Sequence, residues 1–222
     1  MPRLARVVYP NIPYHITQRG NRREDVFFCD EDYVFYLALL KKYCKKHEVE
    51  VWAYCLMTNH IHLILKPSTA EGLQKVLKPL HMRYTQYINK KQSWKGHLWQ
   101  GRFFSSALDE EYTYSAIRYV EQNPVRANIV EQAELYDWSS AAHHLGLKKS
   151  TILSDIPGAY CSVDTSDWQA YLREAVCEDH LVVLRRNIDK GLPCGSDAFI
   201  TFLERKTNRS LVYNPVGRPR KG

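Results

Sequence analysis

Residues 49–66 read Val-Glu-Val-Trp-Ala-Tyr-Cys-Leu-Met-Thr-Asn-His-Ile-His-Leu-Ile-Leu-Lys. Two runs rich in β-branched and aromatic side chains, 49–57 and 60–66, are separated only by Thr58-Asn59. That spacing predicts an antiparallel hairpin, although the turn is not the favoured Asn-Gly pair. Upstream, Ile12-Pro13-Tyr14-His15-Ile16-Thr17-Gln18 reads as a strand that runs into a basic loop, Arg19-Gly20-Asn21-Arg22-Arg23. A helix is predicted over about 31–46, where Tyr33, Tyr36, Leu37, Leu40, Tyr43 and Cys44 recur at helical spacing. Downstream, Leu73, Val76, Leu77, Leu80, Tyr84, Tyr87 and Ile88 form the stripe of a second helix over about 69–91. A strand-like run at 98–108 around Phe103 and Phe104 precedes a third helix at about 109–122. Asp109, Glu110 and Glu111 suit its first turn and Pro124 stops it. This order predicts an α+β fold, an antiparallel sheet with helices on one face in a split βαβ arrangement. Residues from about 128 to 163 look irregular and a helical region follows to about 205. Three units are therefore expected, 1–145, 146–204 and a basic tail at 205–222.

The chain has 222 residues, 45% hydrophobic and 25% charged, ordinary for a globular protein with a core of its own. No run approaches the roughly 18 apolar residues that span a bilayer, and Met-Pro-Arg-Leu-Ala-Arg at the N-terminus has no apolar secretory core. A cytoplasmic protein without a membrane partner is expected. Six dispersed cysteines with no C-x-x-C pair argue against a zinc ribbon or a redox motif. Lys and Arg number 31 against 24 acids, a formal net charge of +7. Residues 205–222 hold Arg205, Lys206, Arg209, Arg218, Arg220 and Lys221 and no acid. With fifteen Tyr and five Trp as stacking faces, a polyanionic partner, nucleic acid above all, is the leading expectation.

His60-Ile61-His62 carries the chemistry. On a strand, residues two apart share a face, so both imidazoles project from one side of the sheet while Ile61 enters the opposite layer. Paired imidazoles are natural ligands of a divalent ion, although two histidines at this spacing are more often structural. The pattern has the His-hydrophobic-His form of the HUH nucleases. Its neighbours match as well: Tyr14-His15-Ile16-Thr17-Gln18-Arg19-Gly20-Asn21-Arg22, Met57-Thr58-Asn59-His60-Ile61-His62-Leu63, Leu98-Trp99-Gln100-Gly101-Arg102-Phe103 and Arg118-Tyr119-Val120-Glu121-Gln122-Asn123-Pro124-Val125-Arg126-Ala127. In this order they resemble the single-tyrosine transposases, specifically the REP-associated tyrosine transposases. The resemblance covers roughly residues 1–145 well and the remainder loosely.

The resemblance implies a ferredoxin-like HUH domain with Tyr119 as the nucleophile. A phenolate attacking phosphorus leaves a 5′-phosphotyrosine that conserves the bond for rejoining. Tyrosine is a weak nucleophile at neutral pH, since phenol ionises near 10. A Mg²⁺ or Mn²⁺ ion on His60 and His62 would polarise the phosphate, and relatives place Gln or Asn at the offset of Asn123, a third ligand with an oxygen donor. Asn123 lies four residues after Tyr119, on the same face of a continuous helix; as a bare residue before proline it could equally be a helix cap. The implied substrate is single-stranded DNA beside a hairpin, a repetitive extragenic palindrome. Arg19, Arg22, Arg23 and Arg126 are candidate DNA contacts. So are Arg218, Arg220 and Lys221, in a stretch resembling an AT-hook whose usual leading arginine is replaced by Val216. One tyrosine per chain suits a monomer, whereas the insertion-sequence relatives act as homodimers. Two other classes stay open, a hairpin-binding regulator without catalysis and an RNA-binding or RNA-processing protein.

Overall fold

The computed structural model describes residues 8–157, 167–174 and 177–211. Four strands, β1 (Tyr14–Arg19), β2 (Val49–Met57), β3 (His60–Pro67) and β4 (Phe104–Ala107), form one antiparallel sheet in the order β2-β3-β1-β4. Helix α1 (Asp30–Lys46) joins β1 to β2, and α2 (Gly72–Gln92) joins β3 to β4. The chain is therefore α+β, with the strand order of a split βαβ unit. Met57 pairs with His60 across the two-residue turn, as the hairpin reading requires.

The helices do not all lie on one face. Helices α1 and α2 share a core with Tyr14, Ile16, Ile61, Leu63 and Leu65 on one side of the sheet. On the other side Trp52, Ala53, Cys55, Met57 and Ile64 pack against Ala116, Ile117 and Val120 of α3 (Glu110–Glu121). The reason is visible in β2, which is apolar at every position from Val51 to Met57. A strand without polar alternation has no face to give to water and must be covered twice. A bulge at Trp52, between Val51 and Ala53 in the register with β3, delivers both Trp52 and Ala53 to the α3 side.

After α3 come two short helices, α4 (Asn123–Arg126) and α5 (Ala141–His144), then α6 (Trp168–Arg173), α7 (Glu178–Lys190) and α8 (Asp197–Thr207). The C-terminal region joins both cores. Leu184 of α7 and Cys194 pack in the α3 layer, and Leu203 of α8 packs in the α1/α2 layer. Cys44, Cys55 and Cys194 are buried free thiols, and Cys161 lies outside the described residues.

The loop after β1 is locked to the hairpin turn. Gly20 N donates to Asn59 O, and Asn59 Nδ2 donates to Arg23 O. These bonds hold Arg22 and Arg23 in left-handed backbone, φ 53° and 66°, a conformation that costs about 1–2 kcal/mol for a residue with a side chain. A Cβ on Gly20 would lie 2.1 Å from Glu24 O and 2.9 Å from Val26 Cγ1. Gly20→Ala should therefore destabilise the protein by about 1–3 kcal/mol, read as a lower urea midpoint at unchanged slope.

Candidate active site

The face of the sheet opposite α1 and α2 carries His15, Thr17 and Arg19 from β1 and His60, His62 and Ile64 from β3. The antiparallel register sets Thr17 against His62 and Arg19 against His60. Helix α3 crosses this face. Its N-terminus is fixed by Asp109, whose carboxylate accepts from Tyr112 N and Ser196 N. Its other end is fixed by Glu121, wholly buried, which accepts from Ser140 Oγ at 2.5 Å and Trp168 Nε1 at 3.2 Å and pairs with His144 Nδ1 at 2.5 Å. Between these anchors the helix presents Tyr119 to the histidines.

The Tyr119 ring centroid lies 5.7 Å from that of His62 and 5.8 Å from that of His15, and the His60 and His62 rings are 5.0 Å apart. Of the three tyrosines on α3, Tyr119 alone reaches the cleft. Tyr112 packs on His180 at 4.5 Å and Tyr114 is buried. The guanidinium of Arg126 stacks over the Tyr119 ring at 4.1 Å while its Nη2 donates to Tyr119 O, which clamps the phenol.

Tyr119, His60, His62 and Asn123 line one cleft of about 510 Å³ with Thr17, Arg19, Arg23, Gln100, Arg185 and Asp189 among its other walls. Three arginines against one carboxylate make it a site for an anion. Arg22, on the exposed loop beside it, and Arg126, behind the phenol, are not among the residues that line the cleft. Arg218, Arg220, Lys221 and the AT-hook-like stretch lie outside the described residues.

Both candidate ligand histidines are suited to hold a metal. Burial, helped by the positive charge of Arg19, lowers His60 to about 4. Burial, then His15, His60, Arg126 and Arg19, hold His62 well below the usual histidine range. Neutral imidazoles keep a lone pair for a cation. His60 Nδ1 donates to Asn59 Oδ1 at 2.6 Å, which leaves its Nε2 available. Asn123 donates its Nδ2 to Tyr119 O and Val120 O, so its amide oxygen is the atom open to a cation. Among the described residues no group of three or more His, Cys, Asp or Glu is arranged for a metal. Two imidazole nitrogens and an amide oxygen form a borderline donor set that fits Mn²⁺ or Mg²⁺ completed by phosphate and water oxygens.

Sequence reasoning passed over Arg185 and Asp189. They stand four residues apart on one face of α7, in a region without a recognisable motif, and Arg185 lies 5.9 Å over the Tyr119 ring. The His15 ring is buried, and its Nε2 meets His62 Nδ1 at 2.9 Å.

The IS200-like transposase family model matches residues 8–123, and the chain belongs to that family. It is 23% identical over 129 residues to a Haemophilus influenzae protein named as a REP-associated tyrosine transposase, covering 53% of this chain and 72% of that one. It also shares the fold of a REP-associated tyrosine transposase solved bound to a REP hairpin. That match has a TM-score of 0.53 at 16% identity and covers 71% of this chain and 99% of that one. No helix among the described residues is long and apolar enough to cross a membrane.

Proposed function

We propose that this chain cuts and rejoins single-stranded DNA beside a hairpin, with Tyr119 as the nucleophile. The observation that carries the reading is the placement of the Tyr119 ring 5.7 Å from His62 on the wall of an arginine-lined cleft. In the cutting step a bond forms between Tyr119 Oη and the scissile phosphorus and the bond to the 3′ oxygen breaks. The phenol gives up its proton and the departing 3′ oxygen gains one, so the strand downstream of the cut stays on the enzyme through its 5′ phosphate and rejoining is the reverse. Arg126 holds the phenol ring, and Arg19, Arg23 and Arg185 bind the flanking phosphates. Mg²⁺ or Mn²⁺ held by His60, His62 and Asn123 would supply positive charge beside the transferred phosphate. The hairpin as substrate is supported by the related structure, whose protein is bound to a REP hairpin. All of these side chains come from one chain, so a monomer has the whole set; the cytoplasm, where chromosomal DNA lies, is the proposed compartment.

The test is to incubate an end-labelled hairpin carrying a single-stranded 5′ flank with the protein and Mn²⁺, then denature. A covalent adduct to the 5′ phosphate of the downstream, 3′-labelled fragment is expected, lost when the ion is chelated and restored when it is returned. Tight binding with no adduct would make the protein a hairpin-binding regulator, and an adduct or cleavage on RNA alone would make it an RNA-processing enzyme.

A further inference from the structure

The hydrogen bond between His15 and His62 has a direction, and the direction decides whether His62 can ligate. His15 is wholly buried in the middle of β1, and its ring lies 5.2 Å from that of His62, with the planes 24° apart. The 2.9 Å bond joins His15 Nε2 to His62 Nδ1, and His15 Nδ1 on the far side has no hydrogen-bond partner. A neutral imidazole carries one proton. If His15 donates, the proton of His62 sits on Nε2 and that atom has no lone pair to offer. If His62 donates, its Nε2 is free to ligate, and His15 must carry its own proton on Nδ1, where nothing accepts it.

The two ligand histidines therefore differ. Asn59 Nδ2 is committed to Arg23 O, so its Oδ1, an acceptor only, faces His60 and fixes His60 permanently as the Nδ1–H tautomer. His15 can act either way.

We propose that His15 is a positioning residue for the metal: its Nε2 is the acceptor that holds His62 in the ligating tautomer. The inference rests on the reading of His60 and His62 as metal ligands. It explains why a histidine, rather than an apolar residue, occupies a strand centre that is otherwise core.

The test uses the full chain without DNA. Mn²⁺ is titrated calorimetrically into the wild type, His15→Phe, His15→Gln and His60→Ala/His62→Ala, with a thermal melt of each. In parallel, ¹⁵N-histidine spectra are recorded with and without diamagnetic Mg²⁺. His15→Phe keeps a buried ring and removes the acceptor, and should weaken Mn²⁺ binding about 10- to 100-fold without lowering the melting temperature. His15→Gln offers an amide oxygen to His62 Nδ1–H and should recover most of the lost affinity. In the wild type with Mg²⁺ bound the His62 proton should sit on Nδ1. Unchanged affinity in His15→Phe, a His15→Gln as weak as His15→Phe, or a His62 proton that sits on Nε2 with the metal bound would each overturn the role of His15. Equal binding by the wild type and by His60→Ala/His62→Ala would instead remove the metal reading itself, and this inference with it.

Discussion

Tyr119→Phe is expected to abolish the covalent adduct, a loss of roughly 10⁴-fold or more in cleavage, while hairpin affinity stays within a few-fold of the wild type. The size follows from the role, because removing a nucleophile removes the only path through the intermediate. The ring is half-buried and packs beside His15 and His62, and Phe keeps that packing, so the fold should survive. No neighbour on α3 can take over, since Tyr112 is stacked on His180 and Tyr114 is buried. The check is a denaturing gel of labelled hairpin with Mn²⁺ beside a binding titration in chelator. An adduct that persisted in the variant would move the nucleophile elsewhere.

Glu121→Ala should be the most destabilising of the substitutions near the site, by about 3–5 kcal/mol. Glu121 has no exposed surface, and its removal takes the carboxylate from the Trp168 indole N–H and the His144 imidazole in the interior, while the Ser140 hydroxyl keeps only its bonds to the Tyr54 backbone. Urea denaturation measures the loss, and a variant within 1 kcal/mol of the wild type would refute it. The same pair sets a pH dependence. Burial alone would lower His144, but the Glu121 carboxylate wins by charge and hydrogen bond and raises it above the usual 6.5. A group whose folded pKa is raised contributes stability that is fully present below its unfolded pKa and fades as pH rises through the folded one. The midpoint should therefore fall as pH climbs from the unfolded histidine pKa through the raised one, and His144→Gln should flatten that part of the profile.

The fold was legible where side chains alternate or repeat, and the site where a motif is local. The hairpin, the first two helices and the class follow from periodicity in 12–18, 31–46, 49–66 and 69–91, and the third helix from its acidic first turn and Pro124. The coverage of the second sheet face was also written in Val51–Met57, an uninterrupted apolar run, but such a run does not say which distant segment will cover it. That is why α3 and α7 were not expected there. The same limit hid Arg185 and Asp189, which reach the cleft only because Leu184 on the same helix docks into the α3 layer. His15 and His62 are 47 residues apart, and the bond between them depends on the β1–β3 register, which residue type alone does not reveal.

That register has a consequence for how the molecule matures. Ile61, Leu63 and Leu65 are sealed into one layer by the same alternation that turns His60 and His62 to the other. A slip of one position would drive both imidazoles into oil and leave three aliphatic side chains in the arginine-lined cleft. A nascent chain cannot close its interior with the imidazoles misaligned, so burial of grease proofreads the catalytic geometry before any nucleic acid arrives.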